Sequence, residues 1–175
     1  MENSLEDIIK GCKKGNRNSF SMLYKTYAKK VYPICLRYSH NTQEAEDNLQ
    51  DGFITIFKKI KTYKGDGSFE GWLKRIFVNQ CLNNIRKSKK IINDEISDEI
   101  PDDNEDEIIK IETDTILELI QDLPTQYRLV FNLYILDNYS HKEISKELSI
   151  STNTSKSNLS RAKHILKEKL KERMK

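Results

Sequence analysis

Asn153, Lys156, Ser157, Ser160 and Arg161 recur at three- and four-residue spacing near the end of the chain, so a helix would gather them mostly on one face. Short hydroxyl and amide side chains interleaved with cations break no bonds. They suit recognition: the polar tips can hydrogen-bond base edges in a major groove while Lys and Arg neutralise phosphates. Groups suited to catalysis are not assembled elsewhere. His40, His141 and His164 are scattered, without the i, i+4 pairing or neighbouring carboxylate of a metal or general-base site. Cys12, Cys35 and Cys81 lie far apart with no Cys-x-x-Cys, so they are expected as small core residues rather than a disulfide framework, zinc site or redox switch. No Gly-rich phosphate loop and no nucleophile elbow is present. No enzymatic activity, cofactor or metal is therefore expected.

The elements that must position the polar face can be read from their start signals. Ser140-His141-Lys142-Glu143 has the pattern of a capping box, so a helix should begin at His141, carry Ile144 and Leu148 inward and run out at Ser149. Ile150 is placed to plug the space beneath the turn, and Ser151 can cap the next helix. That helix sets Leu159, Ala162, Leu166 and Leu170 on its apolar face. Upstream, Leu123-Pro124 opens a supporting helix, with Pro in the first helical turn and Tyr127, Val130, Phe131 and Tyr134 as its apolar side. Two capped helices three residues apart, over a third, have helix-turn-helix spacing. An ordinary helical core with a solvated polar face is the plainer alternative.

Charge divides the chain. Residues 1–90 carry 18 Lys/Arg against 9 Asp/Glu, residues 91–122 carry 1 against 13, and residues 123–175 carry 11 against 5, within a net charge of +3. Two basic blocks separated by an acidic one suit two polyanion-binding modules joined by a segment that DNA would repel. No apolar run approaches the roughly 18 to 20 residues needed to span a bilayer, and the first residues lack a signal-peptide hydrophobic region, so no membrane insertion and a cytoplasmic location are expected.

Within the N-terminal block helical periodicity recurs in Leu5, Ile8, Ile9 and Cys12, in Phe20, Leu23, Tyr24, Tyr27, Val31 and Ile34, and in Leu49, Phe53, Ile56, Phe57 and Ile60. Strand signals are nearly absent, so the block should be a helical bundle. Pro33 predicts a kink, or a break before Tyr32. Asn41 or Thr42 can cap the helix that holds Glu44, Asp47, Gln50 and Asp51, which share one face opposite Leu49, Phe53 and Ile56. Such an acidic face is either solvated surface or a docking site for a basic partner. The loop Tyr63 to Phe69, with two glycines and two aromatics, then leads into a helix from about Glu70 to Lys89. Its apolar face is Trp72, Leu73, Ile76, Phe77 and Ile85, with core packing preferred for Trp72. Its polar face is Arg75, Asn79, Asn83 and Arg86. A loop rimmed by aromatics and cations before a basic, Asn-rich helix suits single-stranded DNA, where a base can be splayed out and held.

Taken together, these residues resemble a bacterial RNA polymerase sigma factor of the small two-domain extracytoplasmic-function (ECF) group, over nearly the whole chain. Glu44-Ala45-Glu46-Asp47 with Gln50-Asp51 resembles the family's acidic motif that binds the clamp helices of the polymerase's largest subunit. Gly65 to Leu73 with Arg75-Ile76 and Asn79 resembles the segment that melts promoters and reads the −10 element. Leu123-Pro124 with Tyr127-Arg128 and Val130-Phe131, Lys142-Glu143-Ile144 and Thr154 to Ala162 resembles the domain that reads the −35 element.

The resemblance implies an all-α protein of two small helical domains, residues 1–90 and 113–175, joined by an acidic linker over 91–112. It implies core RNA polymerase as partner through Glu44, Asp47, Gln50 and Asp51. Promoter DNA would meet Lys64, Gly65, Asp66, Ser68, Phe69, Arg75, Asn79, Asn83 and Arg86 downstream, and Lys142, Asn153, Thr154, Lys156, Ser157, Ser160 and Arg161 upstream. An anti-sigma factor covering these faces is implied as well. Four positions depart from the family pattern: Asn48 for an aliphatic, Ser149 for the turn glycine, Ser155 for a buried valine and Asn158 for an arginine. They predict altered packing of the acidic helix, a strained or reshaped turn, a looser start to the last helix and one phosphate contact fewer. From another class, a helix-turn-helix regulator with an N-terminal sensing or dimerisation bundle would explain the last third equally well but has no use for the acidic face. A helical adaptor would leave the basic blocks unexplained.

Overall fold

Serine and asparagine side chains begin each helix of the N-terminal unit whose capping bond can be traced. Ser4 accepts from the Asp7 N–H at 3.2 Å to start α1 (Leu5–Lys13), and Asn16 accepts from Asn18 and Ser19 to start α2 (Arg17–Tyr38). Asn41 accepts from the Glu44 N–H at 2.8 Å to start α3 (Thr42–Lys59), while the Glu44 carboxylate reaches back to the His40 N–H at 3.0 Å. A short 3₁₀ turn, Ile60–Thr62, ends α3, and α4 (Phe69–Lys87) follows the glycine loop. The computed structural model describes residues 4–87 and 113–173. Among them every regular element is helical.

Contacts divide the chain into two compact units, Met1–Ser88 and Lys89–Lys175. The expected acidic linker, 91–112, lies outside the described residues. In the first unit α2, α3 and α4 pack pairwise and α1 lies on α2. Leu23, Tyr38, Phe53, Ile56, Leu73 and Phe77 form the centre of the core. Cys12, Cys35 and Cys81 are buried there as free thiols, and burial pushes the Cys12 thiol up to about 11, which keeps it protonated and inert.

Pro33 does not break α2, which continues to Tyr38. A proline in a helix interior removes one hydrogen bond and crowds the preceding turn; here Val31, Ile34 and Cys35 around it are buried, and their burial offsets that cost.

The second unit contains α5 (Thr113–Gln121), α6 (Thr125–Phe131), α7 (His141–Leu148) and α8 (Thr152–Arg173), with α6 and α7 packed on α8. Pro124 sits at the N-cap of α6, immediately before its first turn. A π-helical turn, Asn132–Leu136, separates α6 from α7.

The capping box predicted for α7 is present: Ser140 accepts from the Glu143 N–H, and the Glu143 carboxylate accepts from the Ser140 N–H at 2.8 Å. Ser151 accepts from the Thr154 N–H at 2.9 Å at the start of α8. Between them Ser149 adopts the left-handed conformation, φ 56° and ψ 41°, that normally calls for glycine. The turn is held from outside: the Ser145 hydroxyl donates to the Ile150 carbonyl at 2.6 Å and the Ile150 N–H donates to the Ser145 carbonyl at 3.1 Å. A side chain in this conformation costs about 1–2 kcal/mol, part of which glycine returns as entropy in the unfolded chain. Ser149→Gly is therefore expected to stabilise the second unit by about 1 kcal/mol, read as a higher melting temperature of the full chain.

Candidate polymerase and nucleic-acid interfaces

The acidic face of α3 is divided. Glu46, Asp47 and Gln50 are exposed. Glu44 is half-buried and engaged in capping the helix. Asp51 is half-buried and turned towards α4, where it accepts from Asn84 Nδ2 at 3.2 Å and Gln80 Nε2 at 3.4 Å. Of the four residues expected to dock a basic partner, only Asp47 and Gln50 are thus exposed; Glu46 joins them.

Asn48 explains why. It is buried at 5% exposure, donates to Ser39 Oγ at 2.9 Å and accepts from Asn84 Nδ2 at 2.8 Å, and the Ser39 hydroxyl passes on to the Cys35 carbonyl at 2.8 Å. The polar residue found where an aliphatic is usual is therefore part of a satisfied hydrogen-bond ladder through α2, α3 and α4 that ends at Asp51. A buried polar group with its partners in place fixes the register of its neighbours.

Beside Asp47 and Gln50 runs a groove between α2 and α3. Tyr24, Lys29 and Tyr32 line one side, and Glu46, Leu49, Phe53 and Ile54 the other. Tyr24, which periodicity assigns to the core, is 43% exposed, as is Ile54. Neither Ile54 nor the groove was signalled by periodicity, because Ile54 stands on the polar side of the stripe; an isoleucine on that side was the available clue.

The glycine loop is built for its shape. Gly65 and Gly67 have φ of +90° and +82°, and the Tyr63 hydroxyl donates to the Gly67 carbonyl at 3.0 Å. Ser68 accepts from the Gly71 N–H at 3.3 Å and so starts α4. Lys64, Gly65, Asp66 and Ser68 are exposed. Phe69 is not on the rim, as the sequence predicts, but buried at 5% exposure, its ring against Tyr27, Tyr63 and Trp72 at centroid distances of 5.1 to 5.6 Å. It anchors the loop. An aromatic at the junction of loop and helix is drawn into the core because the adjoining turn of α4 already packs there. Trp72 is half-buried, between the packed and accessible readings.

Along α4 the side chains of Arg75, Asn79, Asn83 and Arg86 are all exposed on one face, with Arg86 Nη1 donating to Asn83 Oδ1 at 3.0 Å. The apolar face is broader than predicted, since Val78, Cys81 and Leu82 are buried while Ile76 is only half-buried.

In the second unit Asn153, Lys156 and Lys142 are exposed, and Thr154, Ser157 and Ser160 are half-buried on the same side. Arg161 is a correction. It is 8% exposed, with Nη1 3.5 Å from the Tyr127 hydroxyl, so it packs α8 against α6 rather than joining the exposed row. By helical angle position 161 lies between Ser157 and Thr154, so its burial is set by α6 packing against that turn of α8 and not by its place on the helix; Lys163, further along, is exposed. Asn158 is fully buried, donating to Gln126 at 3.4 Å, so the position faces α6 and its change from the family residue removes no exposed contact in this structure. Ser155 is also fully buried, and its hydroxyl pairs with His141 Nδ1 at 2.9 Å while the imidazole stacks on Tyr134 with ring centroids 4.4 Å apart. The start of α8 is therefore tied to α7 and not loosened. Burial, with the Lys156 ammonium nearby, pushes the His141 imidazole below its ordinary pKa.

The two units correspond to two family profiles, Sigma-70 region 2 over residues 23–91 and Sigma-70, region 4 over residues 113–166. SigW, an ECF RNA polymerase sigma factor of Bacillus subtilis (strain 168), is 31% identical over 186 aligned residues covering 98% of this chain and 100% of that protein. The chain belongs to the ECF RNA polymerase sigma factors. It directs RNA polymerase to promoters, and the regulator and adaptor readings give way to this one. The sigma factor is also 29% identical to SigE of Mycolicibacterium smegmatis, over 87% of its own length and 62% of that relative's. In fold it is similar to RpoE of Bartonella quintana, solved with the anti-sigma factor NepR, with a TM-score of 0.53 at 19% identity, covering 87% of this chain and 96% of the other. A second similar fold is CnrH, solved with the cytosolic domain of CnrY, with a TM-score of 0.50 at 18% identity over 94% and 95% of the two chains. Among the described residues no helix is long and apolar enough to cross a membrane.

Proposed function

We propose that the sigma factor acts in the cytoplasm through three separate surfaces and is not itself an enzyme, the polymerase supplying the chemistry. The exposed Glu46, Asp47 and Gln50 of α3 meet the basic clamp helices of core RNA polymerase, with electrostatics setting association rate and register. The loop Lys64 to Ser68 and the exposed row Arg75, Asn79, Asn83 and Arg86 receive the downstream element as a single strand. Asn153, Lys156, Ser157 and Ser160, with Thr154 and Lys142 beside them, enter the major groove of the upstream element, where a good bidentate contact discriminates by about 1–3 kcal/mol.

The observation that carries this reading is the row of exposed Arg and Asn side chains on α4 continuing directly from a glycine loop of defined shape. An anti-sigma factor is proposed as a further partner, supported by the two similar folds, one solved with an anti-sigma factor and the other with a cytosolic domain.

Run-off sequencing on genomic DNA tests the reading. Core polymerase supplied with the purified chain should start transcripts at defined sites. Initiation as scattered as with core polymerase alone would overturn it.

A further inference from the structure

α1 lies outside the residues matched by the region 2 profile, yet its last turn reaches the base of the glycine loop. The half-buried Lys13 donates from Nζ to the Tyr63 carbonyl at 2.6 Å, and the same ammonium stands 5.7 Å from the centroid of the Tyr63 ring. Tyr63 in turn packs its ring on Phe69 and Trp72, at 5.1 and 5.2 Å, and donates its hydroxyl to the Gly67 carbonyl. One residue therefore fastens the loop at both ends. Its main chain is held from α1, and its side chain holds the far glycine.

The five residues from Lys64 to Ser68 are all exposed and include two left-handed glycines, and beyond the bonds by which Ser68 starts α4 little else restrains their conformation. Glycine loses more conformational freedom on ordering than any other residue. A loop that must hold a nucleotide either meets that cost when DNA arrives or is shaped beforehand by its fastenings.

We propose that Lys13 and Tyr63 are positioning residues for promoter opening: they preorganise the Lys64–Ser68 loop for the unpaired downstream strand without touching DNA themselves. Ordering the loop before DNA binds raises the rate of opening. It also sharpens discrimination between bases, because a loop of fixed shape cannot adapt to the wrong one. The proposal rests on the reading that this loop receives the downstream element.

The test compares Tyr63→Phe, which removes only the hydroxyl, and Lys13→Met, which keeps the stem and removes the donor, with a loop variant, Lys64→Ala with Asp66→Ala. For each full-length protein, affinity for core polymerase, melting temperature, promoter opening by permanganate footprinting and the opening rate on promoters with single-base changes in the downstream element are measured. Each positioning variant should slow opening by about three- to tenfold, the worth of one hydrogen bond. It should also flatten the preference among bases while core affinity stays unchanged. A merely structural role would lower the melting temperature and scale opening on all promoters equally, leaving the base preference intact, and that result would overturn the proposal. If the loop variant slows opening and the positioning variants do not, the fastening is wrong and the loop reading stands. If the loop variant is silent as well, the loop reading itself fails.

Discussion

Replacing Glu46 and Asp47 together by lysine is expected to weaken binding to core RNA polymerase by tenfold or more, on the order of what charge complementarity at such an interface contributes, while leaving the fold intact. Both carboxylates are exposed, so reversing them disturbs no internal partner. Asp51 is excluded from this variant for a structural reason. It accepts from Asn84 and Gln80, and a lysine there would place an ammonium against amide groups already donating to the carboxylate, breaking the ladder that reaches Asn48 and Ser39. The loss should fall mainly on the association rate and shrink as salt is raised, because these charges are solvent-screened. Affinity measured across a salt series, with circular dichroism as the control for folding, checks both parts. A variant that binds as well as the parent at low salt would remove α3 from the docking surface.

Gly52→Ala should destabilise the N-terminal unit by about 1–3 kcal/mol or more, the usual cost of forcing volume into a filled core. Gly52 is buried in α3 where the helix crosses α4, and a Cβ there would collide with the ring of Phe77, which is itself fully buried. The atoms it would meet belong to a rigid aromatic ring and are not the free end of a flexible chain. Phe77 is held against Phe53 at 5.4 Å, so its ring cannot turn away without disturbing a second one. In a helix interior alanine is favoured over glycine by roughly 1 kcal/mol, which makes a loss of stability here diagnostic of the close approach. Denaturant unfolding gives the size of the effect. The double variant with Phe77→Leu should recover part of it, since the smaller side chain leaves room for the methyl group, and the two changes should be non-additive. An alanine variant as stable as the parent would show that the two helices do not approach as described.

Caps and turns were the most legible parts of the fold. Asn41, Ser140, Glu143 and Ser151 each announce a helix start through local bonding that needs no tertiary context, and each makes a capping bond, Asn41 being the one of the two candidates, with Thr42, that caps α3. Buried thiols and the helix-turn-helix order were legible for the same reason: periodicity and capping are local. What periodicity cannot show is which side of a polar residue another helix will occupy. Asp51 reads as part of the acidic face, yet it meets Asn84 and Gln80 of α4. Asn48 and Ser155 departed from the family pattern in a way that suggested altered or looser packing, and Asn158 in a way that suggested a lost phosphate contact, yet Asn48 and Ser155 are bonded within the core and Asn158 is packed beside Gln126. Arg161 and Phe69 were misplaced because each is covered by a neighbour distant in sequence, Tyr127 of α6 over Arg161 and the Tyr27 ring against Phe69. The glycine of α3 gave no signal at all, because its role is set by the ring of a residue 25 positions away.

The central claim, that one chain reads two promoter elements for RNA polymerase through two separate units, is tested most directly by transcription from a library randomised across the upstream region. Sequencing the transcribed members formed with core polymerase and the wild-type chain should recover two short conserved blocks at a fixed separation. Lys156→Ala should blur only the upstream block, and the Lys64→Ala, Asp66→Ala variant only the downstream one. Recovery of a single block, or of both blocks blurred equally by either variant, would contradict the account.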